Sequence, residues 1–204
     1  MVNQIQHNDS LLPHPPPSEN FNTRELPIVC SRGTWYRLNA IGFSTSLYFD
    51  RSGKGRFDSS VQSYGILYVG NDIHVSWIEC YCRTHGEKGV SEDTLRQRNL
   101  YTIESQRPLV FADVTGSGLV KMGVDSRLSS GSYTVARQWA QAIHDHPQQV
   151  DGIRYRSRHD DGRYCLGIFD RCKNELQEQN LGNLIEFNPQ LLAEILNCYD
   201  YALL

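Results

Sequence analysis

Gly65-Ile66-Leu67-Tyr68-Val69 runs through Asn71 and Asp72 into Ile73, Trp77, Glu79 and Tyr81. The apolar run has the length of a buried strand. Asn71 and Asp72 carry side chains suited to capping a helix, and Ile73, Trp77 and Tyr81 recur at the four-residue spacing of a helical face. A strand passing directly into a short helix that ends near Glu79 is the expectation. The period-two alternation of Ile73, Val75 and Trp77 leaves a second strand open.

Upstream, Trp35-Tyr36-Arg37-Leu38 and Ser46-Leu47-Tyr48-Phe49 have the aromatic density of strands. Downstream, residues 86–107 are polar and poorly patterned, and Leu109 to Val114 reads as a strand closing in Thr115-Gly116-Ser117-Gly118. Ser132 or Thr134 is placed to cap a helix through Val135, Trp139, Ala142 and Ile143 that Pro147 stops. Asp151 to Tyr155 and Tyr164 to Phe169 look like two further strands, and Leu191 to Leu204 like a closing helix. The pattern is mixed α/β of the α+β kind, with neither βαβ regularity nor an internal repeat. The domain boundary falls after residue 31. Residues 1–31, with the run Pro13-His14-Pro15-Pro16-Pro17, read as a flexible, polyproline-like lead-in, and residues 32–204 as the catalytic domain.

At 204 residues, with 39% hydrophobic and 21% charged side chains, the chain can bury a core without staples. A net charge of -3 gives no generic attraction to nucleic acid or anionic membranes. Six scattered cysteines without a CxxC, and no signal-like N-terminus, point to a reducing cytoplasm. No apolar run approaches membrane-spanning length.

Ser52-Gly53-Lys54-Gly55-Arg56-Phe57 lacks the spacing and the Lys-Ser/Thr of a P-loop, and no GxGxxG follows a strand. A surface hairpin loop is the favoured reading of this segment, although its Lys and Arg could hold a pyrophosphate. Glu79, Cys80, Cys82 and His85 are too tightly spaced, and lack the second ligand pair, for a zinc site. His144 and His146 sit at a helix end where polar residues are ordinary, so no metal is expected. Neither Cys80 nor Cys82 has a nameable histidine partner for nucleophilic chemistry. Alternation along Arg154-Tyr155-Arg156-Ser157-Arg158 would put three arginines on one face and Tyr155 and Ser157 on the other. Ser157 would then point into a pocket that the arginines rim.

Taken in order, Tyr36-Arg37-Leu38, Gly55-Arg56-Phe57, Leu67-Tyr68, Glu79, the segment from Asp151 to Arg158 and the strand ending Phe169-Asp170 resemble the RES domain. This is a family of bacterial toxins found in RES–Xre toxin–antitoxin pairs. The resemblance spans Thr34 to Asp170; the lead-in and residues 86–131 have no clear counterpart. It implies a fold similar to ADP-ribosyltransferases: a mixed sheet core with flanking helices. It also implies cleavage of the nicotinamide–ribose bond of NAD+ by hydrolysis or phosphorolysis, or ADP-ribose transfer to a protein. NAD+ would be the substrate and an Xre-family antitoxin the partner, with a homo-oligomer left open. Carried over residue by residue, Glu79 and Arg37 would be catalytic, and Arg37, Arg56, Tyr68 and Ser157 would bind NAD+.

The chemistry suits these residue types. Nicotinamide leaves as a neutral pyridine, so one carboxylate can do what ordinary glycosidases need two for. An ionised Glu79 would stabilise the cationic ribose of the transition state. Planar guanidiniums on Arg37 and Arg56 match a pyrophosphate. Tyr68 is expected either to stack on nicotinamide or to pack in the core, and Ser157 to donate to a phosphate or ribose oxygen. A non-catalytic NAD-binding or interaction module would not need the carboxylate.

Overall fold

A computed structural model of the chain describes residues 14–82, 86 and 88–204. Pro13, Arg83 and His85 therefore lie outside the described residues. In chain order the strands are β1 (Ile28–Ser31), β2 (Thr34–Ala40), β3 (Ile66–Gly70), β4 (Gly89–Val90), β5 (Arg98–Ser105), β6 (Leu109–Asp113), β7 (Gly152–Arg156), β8 (Tyr164–Phe169), β9 (Leu176–Asn183) and β10 (Ala202–Leu203). The helices are α1 (Ile73–Tyr81), α2 (Glu92–Arg96), α3 (Ser117–Met122), α4 (Arg127–Ser130), α5 (Tyr133–His144), α6 (Leu184–Phe187) and α7 (Pro189–Tyr199).

Eight strands form one mixed sheet in the order β1-β6-β7-β8-β3-β2-β5-β9. Only β6 and β7 run parallel within it. A parallel pair needs a crossover, and the segment holding α3, α4 and α5 supplies it. Alternate residues of β3 face opposite sides, so Ile66 joins one core and Leu67 and Val69 the other. The larger core packs Val75, Trp77 and Ile78 of α1, Trp139 and Ile143 of α5, and Ile195 of α7 against the sheet. Trp35, Ile103, Phe111 and Ile168 build the smaller one.

The run into α1 is a strand–helix junction, as the capping residues predict. Asp72 accepts a hydrogen bond from the backbone N–H of Val75 at 2.9 Å, and Ser132 caps α5 through the N–H of Thr134 at 3.2 Å. Gly70 lets α1 lie close to β3. A Cβ there would stand 2.4 Å from Ser76 Oγ and 2.6 Å from Val75 Cγ1.

Several expectations are corrected. Residues 14–31 are no loose lead-in: β1 is the edge strand of the sheet, Phe21 packs edge-on against Trp139 at 5.1 Å, and Trp139 Nε1 donates to the Pro15 carbonyl at 2.9 Å. The apolar Phe21 and Leu26 make docking worthwhile where the composition suggested a tail. Residues 46–49 form a loop, because Glu178 captures Thr45 and Ser46 and only Asp50 bridges to β3. The unpatterned stretch 86–107 holds the long strand β5, whose Leu100 joins the larger core and Ile103 the smaller, so burial on both faces hides the period of two. The closing helix stops at Tyr199, where Asp200 turns left-handed at φ 55°, and the last residues pair with β4. Among the described residues, no helix is long and apolar enough to cross a membrane.

Candidate active site

Strands β2 and β3 are neighbours in the sheet yet share a single paired position, Tyr36 opposite Gly70. Beyond it they diverge, and a cleft of about 630 Å³ opens between them. Its size suits a small-molecule ligand. Arg37, Arg56, Tyr68 and Glu79 all line it.

Arg37 stands in the split itself. Its Nη1 donates to the Tyr68 carbonyl at 3.0 Å, tying β2 to β3 where the strands no longer pair. Its Nε is buried with no hydrogen-bond partner among the described residues. Burial pushes the guanidinium pKa down, partly offset by Asp50; an arginine stays charged nonetheless.

Arg56 comes from a segment that is not a surface hairpin. Arg56, Phe57, Asp58 and Ser59 are all buried. Gly55 donates its N–H to Asp58 Oδ2 at 2.7 Å, and Arg137 Nε donates to the Gly55 carbonyl at 2.9 Å. A Cβ on Gly55 would lie 2.3 Å from Asp58 Oδ1, so only glycine fits. Arg56 Nη1 donates to the Gly131 carbonyl at 2.8 Å, and its guanidinium lies 4.4 Å over the Tyr133 ring. Its Nη2 is buried and unpartnered among the described residues.

Tyr68 lines the cleft and anchors the Arg56 loop with its hydroxyl. The hydroxyl donates to Asp58 Oδ1 at 2.8 Å and accepts from the Phe57 N–H at 2.9 Å. Burial raises its pKa well above 10.0, keeping the proton that this donation needs. Tyr68 lines the cleft and also packs against the larger core.

Glu79 projects from α1, which Ser76 pins to β2 by donating to the Tyr36 carbonyl at 2.9 Å. Its Oε1 accepts a hydrogen bond from Ser157 Oγ at 2.6 Å. Ser157 is buried and accepts in turn from the N–H groups of His159 and Asp160 at 3.1 and 3.2 Å. Two backbone donors thus fill the serine's lone pairs and aim its proton at the carboxylate. Ser157 is not among the residues that line the cleft, and its hydroxyl is held on the Glu79 carboxylate.

The three arginines around Ser157 part company because β7 ends at Arg156. Arg154 pairs with Asp113 at 2.7 Å, Arg156 lies 4.0 Å over the Tyr164 ring, and only Arg158 lines the cleft. Phe43, Tyr48, Arg98 and Tyr133 also line it; these come from loops and element ends with no local motif to flag them. His144 stacks on Tyr64 at 4.3 Å, and buried His146 contacts the Arg24 carbonyl at 3.0 Å. Both serve the fold beside α5.

Residues 34–187 match the model of the RES domain. The chain belongs to the RES domain family. A protein of Sinorhizobium fredii (strain NBRC 101917 / NGR234) named "Probable toxin y4kH" is 29% identical over 113 residues, which are 55% of this chain and 86% of that protein. A chain from the crystal structure of the M. tuberculosis MbcT-MbcA toxin-antitoxin complex superposes with a TM-score of 0.60 at 14% identity, covering 83% of this chain and 92% of that one. That likeness establishes the fold: a mixed α/β RES domain with a large mixed sheet and flanking helices.

Proposed function

We propose that this RES domain is an enzymatic toxin that cleaves the nicotinamide–ribose bond of NAD+, depleting it, and that an Xre-family antitoxin holds it in check. The observation that carries the reading is a single cleft joining two kinds of group. A carboxylate, Glu79, is oriented by a buried serine. Two guanidiniums, on Arg37 and Arg56, keep buried N–H donors without protein partners among the described residues. Both guanidiniums line the cleft, and a planar guanidinium matches a pyrophosphate.

In this mechanism Arg37 and Arg56 hold the pyrophosphate and fix the nicotinamide ribose beside Glu79. As the glycosidic bond stretches, the bonding pair leaves with nicotinamide, and positive charge grows on the ribose. The Glu79 carboxylate stabilises that charge more than it stabilises the ground state. The acceptor (water, phosphate or a protein side chain) then closes on the ribose carbon; product analysis with and without phosphate separates the three. The toxin and antitoxin roles draw support from the name of the S. fredii relative and from the complex that holds the structural neighbour.

Nicotinamide release from NAD+ by the purified chain tests the reading. Glu79→Gln should stay folded and lose activity on the order of a hundredfold or more, the scale of one charged transition-state contact. Wild-type protein that binds NAD+ and never releases nicotinamide overturns it.

A further inference from the structure

Two large aromatic side chains at the mouth of the cleft, Phe43 and Tyr48, are 58% and 54% exposed. They stand on one loop, residues 41–50, which leaves β2 at Ala40 and returns through the Asp50–Ile66 bridge to β3. The loop therefore spans the open end of the split, and it is firmly held. Ile41 donates its N–H to the Gln97 carbonyl at 3.0 Å. Thr45 Oγ1 and the Ser46 N–H each donate to Glu178 at 2.6 Å. Leu47 and Phe49 pack against the smaller core. Their neighbour Tyr48 is left facing the cleft, and Phe43 lines the same mouth.

Charge sorts the rest of the cleft. The carboxylates that Arg37 feels are Asp50 and Glu178, which frame this loop. Glu79 instead acts on Arg56, Tyr155 and Cys165. A ligand with its anionic linkage on Arg37 and Arg56 and its scissile sugar at Glu79 extends its remaining end toward the loop.

We propose that Phe43 and Tyr48 form a stacking platform for the base of a nucleotide ligand, which is the adenine when the ligand is NAD+. The identity of the base rests on the NAD+ reading above. Stacking suits a site that offers flat apolar faces, and one base on one ring is worth about ten- to a hundredfold in affinity.

Phe43→Ala, Tyr48→Ala and the double variant should be compared with wild type on NAD+ and on nicotinamide mononucleotide, which has the scissile bond but no adenine. The ratio of kcat/KM for NAD+ over the mononucleotide should fall about tenfold in each single variant, through KM. Phe43→Trp and Tyr48→Phe should restore it. Calorimetric binding of adenosine diphosphate reads the platform without cleavage, and its affinity should fall in parallel. If wild type binds the diphosphate, the alanine variants lose it, and nicotinamide is never released, the platform stands and the NAD+ cleavage reading fails. An unchanged ratio with unchanged diphosphate affinity overturns the platform and leaves the two rings to a protein contact. Equal losses on both substrates overturn it too, because the loop would then only brace the cleft.

Discussion

Ser157 shows how far a single residue's role depends on its neighbours. Its own backbone surroundings supply two N–H donors, so the hydroxyl proton is committed to Glu79. Ser157→Ala should lower kcat by roughly ten- to a hundredfold, the scale of a hydrogen bond to a charged group, while KM stays within about twofold. Steady-state kinetics on NAD+ checks this; a KM effect with kcat intact would return the serine to the ligand. Glu79, Arg37, Arg56 and Tyr68 were legible in the sequence because the family motifs fall on them, and all four line the cleft. The partner of Ser157 was not legible, since 78 residues separate it from Glu79 and no local spacing encodes such a contact. Tyr133, which lies under the Arg56 guanidinium, went unread for the same reason.

Among the elements, the β3–α1 junction was the most readable and is also the most exacting. Its strand is a short apolar run and its helix opens on a capping aspartate, both local features. The cap is worth about 1 kcal/mol. Asp72 also accepts from Arg163 Nη1 at 2.7 Å through its second oxygen. Gly70→Ala drives a methyl into Ser76 and Val75, so either the helix shifts or the fold loses about 1–3 kcal/mol. The expected outcome is a lower urea midpoint and, because α1 carries Glu79, a loss of nicotinamide release that exceeds the unfolded fraction. Strand β5 escaped the sequence for the opposite reason: Leu100 is buried in the larger core and Ile103 in the smaller, so both faces are covered and no alternation of apolar and polar residues shows. The loop of residues 46–49 has strand-like residues but surrenders its backbone to Glu178.

Across the whole molecule, Asp151 gathers the β6–β7 end of the sheet. Its buried carboxylate accepts from Arg107 at 2.6 and 2.8 Å, from the Val110 N–H at 2.7 Å and from the Cys172 thiol at 3.1 Å. Burial alone would raise its pKa, but the Arg107, Val110 and Cys172 bonds bring it below 3.8. A carboxyl with a depressed folded pKa adds stability above its unfolded pKa and loses it as pH falls through the folded value. Asp151→Asn should therefore cost roughly 1.5–3 kcal/mol at pH 7. The gap from wild type should narrow as pH drops below 3.8. Denaturant melts at pH 7 and pH 3 check it; a constant gap would remove the linkage.

The split between β2 and β3 bears on how backbone amides exchange with solvent. In an uninterrupted sheet the middle strands are the slowest to trade their protons for deuterium, and the edges the fastest. Here the interruption lies between two interior strands, joined by one backbone pair and the Arg37 side chain. The β2 and β3 amides that face the cleft should exchange faster than those of β7 and β8, whose pairing is unbroken. A ligand seated in the split should slow exchange there first, giving a map of occupancy that depends on no reaction taking place.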